Sequence, residues 1–200
     1  MSGFGLREAL LCLMAYLMGG IPFGLIFSRM KGVDLRKVGS GNIGATNVLR
    51  GAGKGAAALT LLGDILKGTA AVALGGAMGA SAELQGVLGA LAVLGHDFPA
   101  ALGFRGGKGV ATSLGVILIY LPRAGILTIV IWLIVAYASR YSSLGALLSF
   151  AALPLVAWGF GYGGFKVAVA CFLTALLVAR HHENIRRLLA GTERKIGSKG

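Results

Sequence analysis

The chain has 200 residues, of which 56% are hydrophobic and only 13% are charged, whereas soluble domains carry about 25% charged residues. This composition excludes an ordinary soluble domain and indicates a polytopic membrane protein. The net charge of +12 does not indicate a nucleic-acid partner, because basic residues ordinarily flank membrane spans and here no aromatic residues are interleaved with them.

Apolar runs recur along the whole chain and predict an all-α membrane fold with seven transmembrane helices and one domain over residues 1–200. The second run is interrupted by Asp64 and Lys67. The fourth and fifth runs meet at Leu121-Pro122-Arg123, which predicts a tight hairpin; merging them gives five spans, an alternative that the sequence leaves open. The predicted spans lie near residues 5–28, 55–79, 82–97, 108–120, 123–138, 142–160 and 164–180.

Loop charge predicts the orientation. Basic residues concentrate in segments 29–54 and 98–107, at Arg140, and in the tail from Arg180 to Lys199. With seven spans or with five, the N-terminus is predicted outside and the C-terminus inside, so the glycine-rich loops face the cytoplasm. The predicted location is the plasma membrane. The basic residues expected on the opposite side are Arg7, Arg123 and Lys166.

The first polar motif is a glycine-rich stretch from residue 39 to residue 47. Its start matches the pattern G-x-G-x-x-G, but no βαβ pattern surrounds it, so a dinucleotide site is not indicated. Glycines expose backbone N–H groups, which suits an anion. A flexible polar turn is the alternative. The residues expected to bind phosphate here are Gly39, Ser40, Gly41, Asn42, Thr46, Asn47 and Arg50.

The second polar motif lies between residues 95 and 112. Gly106, Gly107 and Lys108 stand directly before an apolar run, where a lysine with free N–H groups beside it suits phosphate. An ordinary basic flank of a membrane span is the alternative. His96, at the end of the preceding run, is expected to be structural rather than catalytic.

The third polar motif, residues 179–197, follows the last apolar run. His181 and Asn184 are three residues apart, so they share a face if the last span stays helical. His182 lies off that face, and an amphipathic interfacial helix is the alternative. Ser143 adds a weaker polar point on the same side. Three basic sites converging on one membrane face suit a small phosphorylated substrate.

These motifs resemble those of the bacterial membrane glycerol-3-phosphate acyltransferases that use acyl phosphate as donor. The resemblance covers nearly the whole chain, with two small departures, at Arg105, where lysine is common, and at His182, where arginine is frequent. The matching stretches, in chain order, are KGVDLRKVGSGNIGATNVLR, LGHDFPAALGFRGGKGVAT and RHHENIRRLLAGTERKIG.

The resemblance implies transfer of an acyl group from acyl phosphate to the sn-1 hydroxyl of glycerol 3-phosphate, giving lysophosphatidic acid and phosphate, the first acylation of phospholipid synthesis. It implies a seven-helix fold, no metal and no cofactor. The H-x-x-x-x-D pattern of other glycerolipid acyltransferases is absent, which agrees with an activated donor whose phosphate accepts the proton. The residues expected to act in catalysis are Ser40, Lys108, His181 and Asn184, with Ser40 as a binding residue and not a nucleophile.

Two other function classes were weighed. A phosphate-ester transporter requires a polar path through the bilayer, but polar residues are few in mid-span. A non-catalytic phosphate or lipid sensor is the second alternative. Both cysteines, Cys12 and Cys171, lie in apolar runs, so no disulfide is predicted. Acyl chain-length preference, oligomeric state and the phosphate that each residue contacts do not follow from the sequence.

Overall fold

The computed structural model describes residues 5–197, so Lys199 of the basic tail lies outside the described residues. Within that range the regular secondary structure is entirely helical, as the apolar runs predict. The α-helices are α1 Leu6–Gly19, α2 Phe23–Arg29, α3 Ala45–Ala77, α4 Ala82–Asp97, α5 Val110–Tyr120, α6 Pro122–Ser139, α7 Ser142–Gly159, α8 Gly164–Arg180 and α9 His182–Leu189.

Four helical segments are long and apolar enough to cross a membrane, and a fifth is added if the bent pair α8 and α9 counts as one span. The all-helical membrane fold is therefore confirmed, while seven crossings remain a prediction. Helix α5 shows why the number is hard to derive. Its 11 residues rise about 1.5 Å each, so it covers roughly half of a hydrocarbon core about 30 Å thick.

The first span is a broken helix. It covers Leu6–Arg29, but α1 ends at Gly19 and α2 begins only at Phe23. Pro22 has no N–H to continue the α-helical hydrogen bonds, so the backbone opens just before it. This break exposes backbone carbonyl groups inside the bundle, and one of them is used by a buried lysine described below.

Helix α3 is longer than the sequence indicated, because it begins at Ala45 and not near residue 55. The polar half of the first motif therefore lies on the first turns of this helix. A kink at Gly53, where φ is +84°, bends the helix shortly after the motif. Gly51, Gly53 and Gly55 are unfavourable in a helix and interrupt the helical period of the sequence. For this reason the predicted span begins about ten residues after the observed helix start.

Glycines set the close packing of the helices that position the polar loops. A Cβ added at Gly19 would overlap the backbone of Ala92, and one at Gly68 would overlap the carbonyl of Thr112. Helices α1 and α4, and likewise α3 and α5, can therefore approach backbone to backbone. The ends of α3, α4 and α5 are fixed close together by this packing.

Candidate functional site

The three polar motifs meet on one face of the helix bundle, which is called the motif face below. It consists of the loop before α3, the loop before α5, and α9 with the tail to residue 197. Each pair of motifs is joined by at least one hydrogen bond. Arg36 donates to the carbonyl of Arg105, Arg50 donates to the carbonyl of Arg194 at 3.2 Å, and Lys108 donates to Oδ1 of Asn184.

The first loop is organised by Asn47, which lies on the first turn of α3 and is buried. Its Oδ1 accepts from the backbone N–H of Ser40 at 3.0 Å. Its Nδ2 donates to the carbonyls of Val38 and Asn42 at 3.0 and 2.9 Å. The amide is thus occupied within the protein, and this geometry favours a structural role for Asn47 over the predicted contact with substrate.

The glycines of this loop have conformations that the turn requires. Gly39 and Gly41 have φ values of +57° and +68°, in the left-handed region that favours glycine. The N–H of Gly41 donates to the carbonyl of Val38 at 2.9 Å, so it is not free for an anion. The loop nevertheless leaves the Ser40 side chain exposed on the motif face.

The remaining predicted residues of the first motif join neighbouring elements. Thr46 Oγ1 lies 3.2 Å from Oγ of Ser142, at the start of α7. Arg50 reaches the backbone of the tail, and its Nε is buried without a hydrogen-bond partner among the described residues. Asn42 lies beside Gly44, which caps α3.

In the second loop the N–H groups of Gly106 and Gly107 are not free, although the sequence predicted free N–H groups beside Lys108. Gly106 donates to the carbonyl of Asp97 at 3.1 Å, and Gly107 donates to the carbonyl of His96 at 3.0 Å. Both glycines are buried against the end of α4. The free donors lie further along the chain, on the first turn of α5 after Gly109, whose φ is +72°.

Lys108 is the cation that the second loop presents to the third motif. Its ammonium group donates to Oδ1 of Asn184. Burial lowers the pKa of Lys108 from its ordinary value, and the positive charge of Arg187 lowers it further. An anion bound beside Lys108 would oppose both effects, so the site favours a negatively charged ligand.

Glu193 is the residue that the sequence analysis missed. Its Oε1 accepts from Ser143 at 2.7 Å and from Asn184 at 2.6 Å, and its Oε2 accepts from Arg187 at 2.7 Å. Partial burial acts to raise the pKa of Glu193, but these hydrogen bonds outweigh burial and lower it. An isolated acid among basic residues was the available signal, because a lone carboxylate in such a segment ordinarily collects donors.

The third motif is bent where the prediction assumed a continuous helix. Helices α8 and α9 meet at an angle of 61° around His181. His181 and Asn184 are nevertheless both buried. His181 Nδ1 lies 2.8 Å from the carbonyl of Leu177. Because a carbonyl only accepts, the proton is on Nδ1, and Nε2 keeps a lone pair that can accept a hydrogen bond.

Several predicted residues are thus brought together and others are not. Lys108, Asn184 and Ser143 form one network through Glu193, while Ser40 lies on the exposed part of the same face. His182 is exposed, and its Nδ1 lies 3.0 Å from the carbonyl of Ala179. In residues 5–197 no group of three or more His, Cys, Asp or Glu side chains could hold a metal ion.

Comparison with known proteins decides the family. The family model described as glycerol-3-phosphate acyltransferase matches residues 9–191. The chain belongs to this family. A glycerol-3-phosphate acyltransferase of Nitrobacter winogradskyi is 55% identical over 186 residues, covering 92% of this chain and 93% of the relative. That of Rhizobium meliloti is 52% identical and covers 98% and 96%.

Solved structures agree with the family membership. The chain is similar to crystal structures of PlsY (YgiH), an integral membrane glycerol 3-phosphate acyltransferase. Its glycerol 3-phosphate form has a TM-score of 0.91 at 39% identity, with 96% of each chain covered. The lysophosphatidic acid form has a TM-score of 0.89 at 37% identity, with the same coverage. An acyltransferase with the PlsY membrane fold is therefore established for this chain.

Proposed function

We propose that this acyltransferase moves an acyl group from acyl phosphate to the sn-1 hydroxyl of glycerol 3-phosphate, at the cytoplasmic face of the bacterial plasma membrane. The products are lysophosphatidic acid and inorganic phosphate. The observation that supports it most is the meeting of three motifs on one face of an apolar bundle, where hydrogen bonds of Arg36, Arg50 and Lys108 join them. The bundle offers an apolar surface to an acyl chain, and the motif face offers cations to two phosphate groups.

In the proposed reaction the hydroxyl oxygen attacks the acyl carbonyl carbon, the bond from that carbon to the phosphate oxygen breaks, and the hydroxyl proton leaves with the phosphate. No external base is required, because the leaving phosphate accepts the proton. The protein contributes by positioning two anions and by neutralising charge as the phosphate departs.

Individual residues have distinct parts in this proposal. Lys108 and Arg50 neutralise substrate phosphates. The Nε2 lone pair of His181 accepts a hydrogen bond from a glycerol hydroxyl and so orients it. Ser40 and the free N–H groups at the start of α3 and α5 bind phosphate oxygens. Asn184 is held at Lys108 by Glu193, which fixes the distance between the second and third motifs.

Transfer of radiolabel tests the proposal directly. Purified protein in detergent is mixed with labelled acyl phosphate and glycerol 3-phosphate, and we expect labelled lysophosphatidic acid and one phosphate per product. Substituting acyl thioesters for acyl phosphate tests the donor. A phosphate-ester transporter would move labelled glycerol 3-phosphate into vesicles and form no product. A sensor would bind it with neither result.

The same preparation tests for a covalent intermediate. A serine nucleophile needs an adjacent base that a third group orients, but in residues 5–197 no histidine is hydrogen-bonded to Ser40. We therefore expect no acyl adduct when the protein meets acyl phosphate alone, and sequential kinetics with both substrates. An acyl ester on Ser40 together with ping-pong kinetics would contradict direct transfer.

A further inference from the structure

A buried polar cluster lies beneath the second loop, where the break between α1 and α2 meets α3 and α4. Its centre is Lys67, whose side chain is 3% exposed. Lys67 Nζ lies 2.9 Å from Asp64 Oδ1, 2.8 Å from His96 Nδ1 and 2.9 Å from the carbonyl oxygen of Ile21. An ammonium group has three N–H donors and no acceptor; Lys67 hydrogen-bonds His96 and Ile21, and it forms an ion pair with Asp64, whose Oδ1 has no hydrogen-bond partner in residues 5–197.

This geometry determines the position of the proton on His96. If Lys67 is charged, Nδ1 of His96 must accept, and the ring proton is on Nε2. The ion pair distances favour this state, since Asp64 Oδ1 lies 2.9 Å from Lys67 Nζ but 3.5 Å from His96 Nδ1. A neutral Lys67 would leave the Asp64 carboxylate poorly compensated in an apolar interior, which is costly.

The Nε2 edge of His96 lies against the second loop. A Cβ added at Gly107 would coincide with His96 Nε2. Gly107 directly precedes Lys108, and its carbonyl accepts two hydrogen bonds from Arg180, at 3.1 and 2.8 Å. The loop is therefore clamped on both sides, and the described residues provide no hydrogen-bond acceptor for His96 Nε2.

We propose that Lys67, held by Asp64, fixes His96 in the tautomer that carries its proton on Nε2, so that His96 donates to an oxygen of the bound substrate beside Gly107. That oxygen belongs either to a phosphate group or to the acyl carbonyl; both accept the same N–H. Lys67 and Asp64 are positioning residues, because they act through His96. The kinetic consequence rests on the proposed function, whereas the tautomer does not.

Nitrogen-15 NMR of histidine-labelled protein in lipid nanodiscs measures the tautomer without any substrate. The chain has 3 histidines, so spectra of the His96→Gln and His182→Gln variants assign the signals. We expect His96 to have a protonated Nε2 and an unprotonated Nδ1. A proton on Nδ1 alone, or on both nitrogens, would overturn the proposal.

Lys67→Met tests the link to substrate. Without the ammonium group, Asp64 becomes the charged neighbour of Nδ1, so the ring proton should move to Nδ1 and leave a lone pair facing Gly107. We expect kcat/KM to fall by about 10- to 100-fold, the loss typical of one hydrogen bond to a charged group. Separate KM values for glycerol 3-phosphate and acyl phosphate identify which substrate oxygen His96 binds.

A matched double variant separates positioning from folding. Lys67→Met leaves Asp64 unpaired, whereas Asp64→Leu with Lys67→Met removes both charges and should melt near the wild-type temperature. We expect the folded double variant to lose the fixed tautomer of His96. Its kcat/KM should fall by as much as that of Lys67→Met. Wild-type kcat/KM in the folded double variant would overturn the role in catalysis. Failure of the wild-type protein to transfer acyl groups would instead contradict the proposed function and leave the NMR result intact.

Discussion

Two carboxylates organise two different regions of this molecule. Glu193 lies outside the helices on the motif face and gathers Ser143, Asn184 and Arg187 around it. Asp64 lies inside the bundle on α3 and pairs with Lys67, with both side chains 3% exposed. The first carboxylate joins loops and helix ends, whereas the second compensates a charge in the interior of the bundle.

The two regions should respond differently when one partner of the carboxylate is removed. Glu193 joins the ends of helices to the tail and lies outside the helix interiors, so its removal should release the loops and leave the helix packing intact. No solvent can replace the partner of Lys67, so removing one member of that pair leaves an uncompensated charge in the bundle. We therefore expect activity and stability to respond separately in the two regions, and five predictions test this separation.

The largest expected effect is on stability, from Asp64→Leu. It leaves Lys67 with a carbonyl and an imidazole nitrogen but no negative charge. Breaking one side of a buried pair typically costs about 3–5 kcal/mol, and thermal unfolding in detergent measures the loss. Glu193→Gln is the matched control, because it also removes one carboxylate charge and should lower the melting temperature much less. An equal fall in melting temperature in both variants would refute the proposed difference between the two carboxylates.

The next largest effect is on activity, from Glu193→Ala. It removes the acceptor for three side chains, so Asn184 should no longer hold Lys108 in place. We expect about a 100-fold loss of kcat/KM, and only about 10-fold for Glu193→Gln, whose amide oxygen still accepts from Ser143 and Asn184. A melting temperature near wild type is required of both variants. Equal activity of the two would show that the hydrogen bonds do not matter.

The pH dependence of this region follows from the lowered pKa of Glu193. A carboxyl group whose pKa is lower in the folded state stabilises the fold above its unfolded pKa, and this contribution is lost as the pH falls through the folded value. The network is therefore complete at neutral pH. Acid should loosen the motif face only below the ordinary carboxyl range.

The sequence predicts the helix bundle more completely than it predicts the motif face. Periodicity and hydropathy located the helices, because burial in lipid acts on every residue of a span. The contact between Asp64 and Lys67 also follows from their spacing, since residues three apart share a helix face. The third partner, His96, comes from another helix, and only the packing of α3 against α4 reveals it.

The motif face was predicted less completely. Its residues were identified as a group by composition and resemblance, but their individual contacts depend on loop backbone. The N–H groups of Gly106 and Gly107 were expected to be free and instead bond the end of α4. The bend at His181 was also unforeseen, because no proline or glycine marks it in the sequence.

A smaller effect on activity is expected from Lys108→Ala, a second substitution on the motif face. The substitution removes a charge that the nearby backbone donors cannot replace. One charge-assisted hydrogen bond is worth about 1.5–3 kcal/mol, so kcat/KM should fall by about 10- to 100-fold. Since Lys108 donates to Asn184 alone among the described residues 5–197, the melting temperature should change little. Activity within about twofold of wild type in the folded variant would exclude Lys108 from the site.

The smallest effect on activity is expected from His182→Ala. His182 is adjacent in sequence to His181, which lies in the candidate site. His182 is exposed and its Nδ1 bonds the carbonyl of Ala179, whereas His181 is buried and its Nδ1 bonds the carbonyl of Leu177. The 61° bend between α8 and α9 turns the two adjacent side chains in different directions. Removing an exposed side chain that holds no neighbouring element ordinarily changes stability by less than about 0.5 kcal/mol.

We therefore expect kcat/KM of His182→Ala to stay within about twofold of wild type. His181→Ala is the paired measurement, and it should lose activity strongly because it removes the acceptor proposed to orient the glycerol hydroxyl. The two variants delete the same atoms from adjacent positions, but His181 is buried, so a melting temperature near wild type is required of His181→Ala before the rates are compared. An inactive His182→Ala beside a nearly normal His181→Ala would mean that the third motif faces the substrate with its other side.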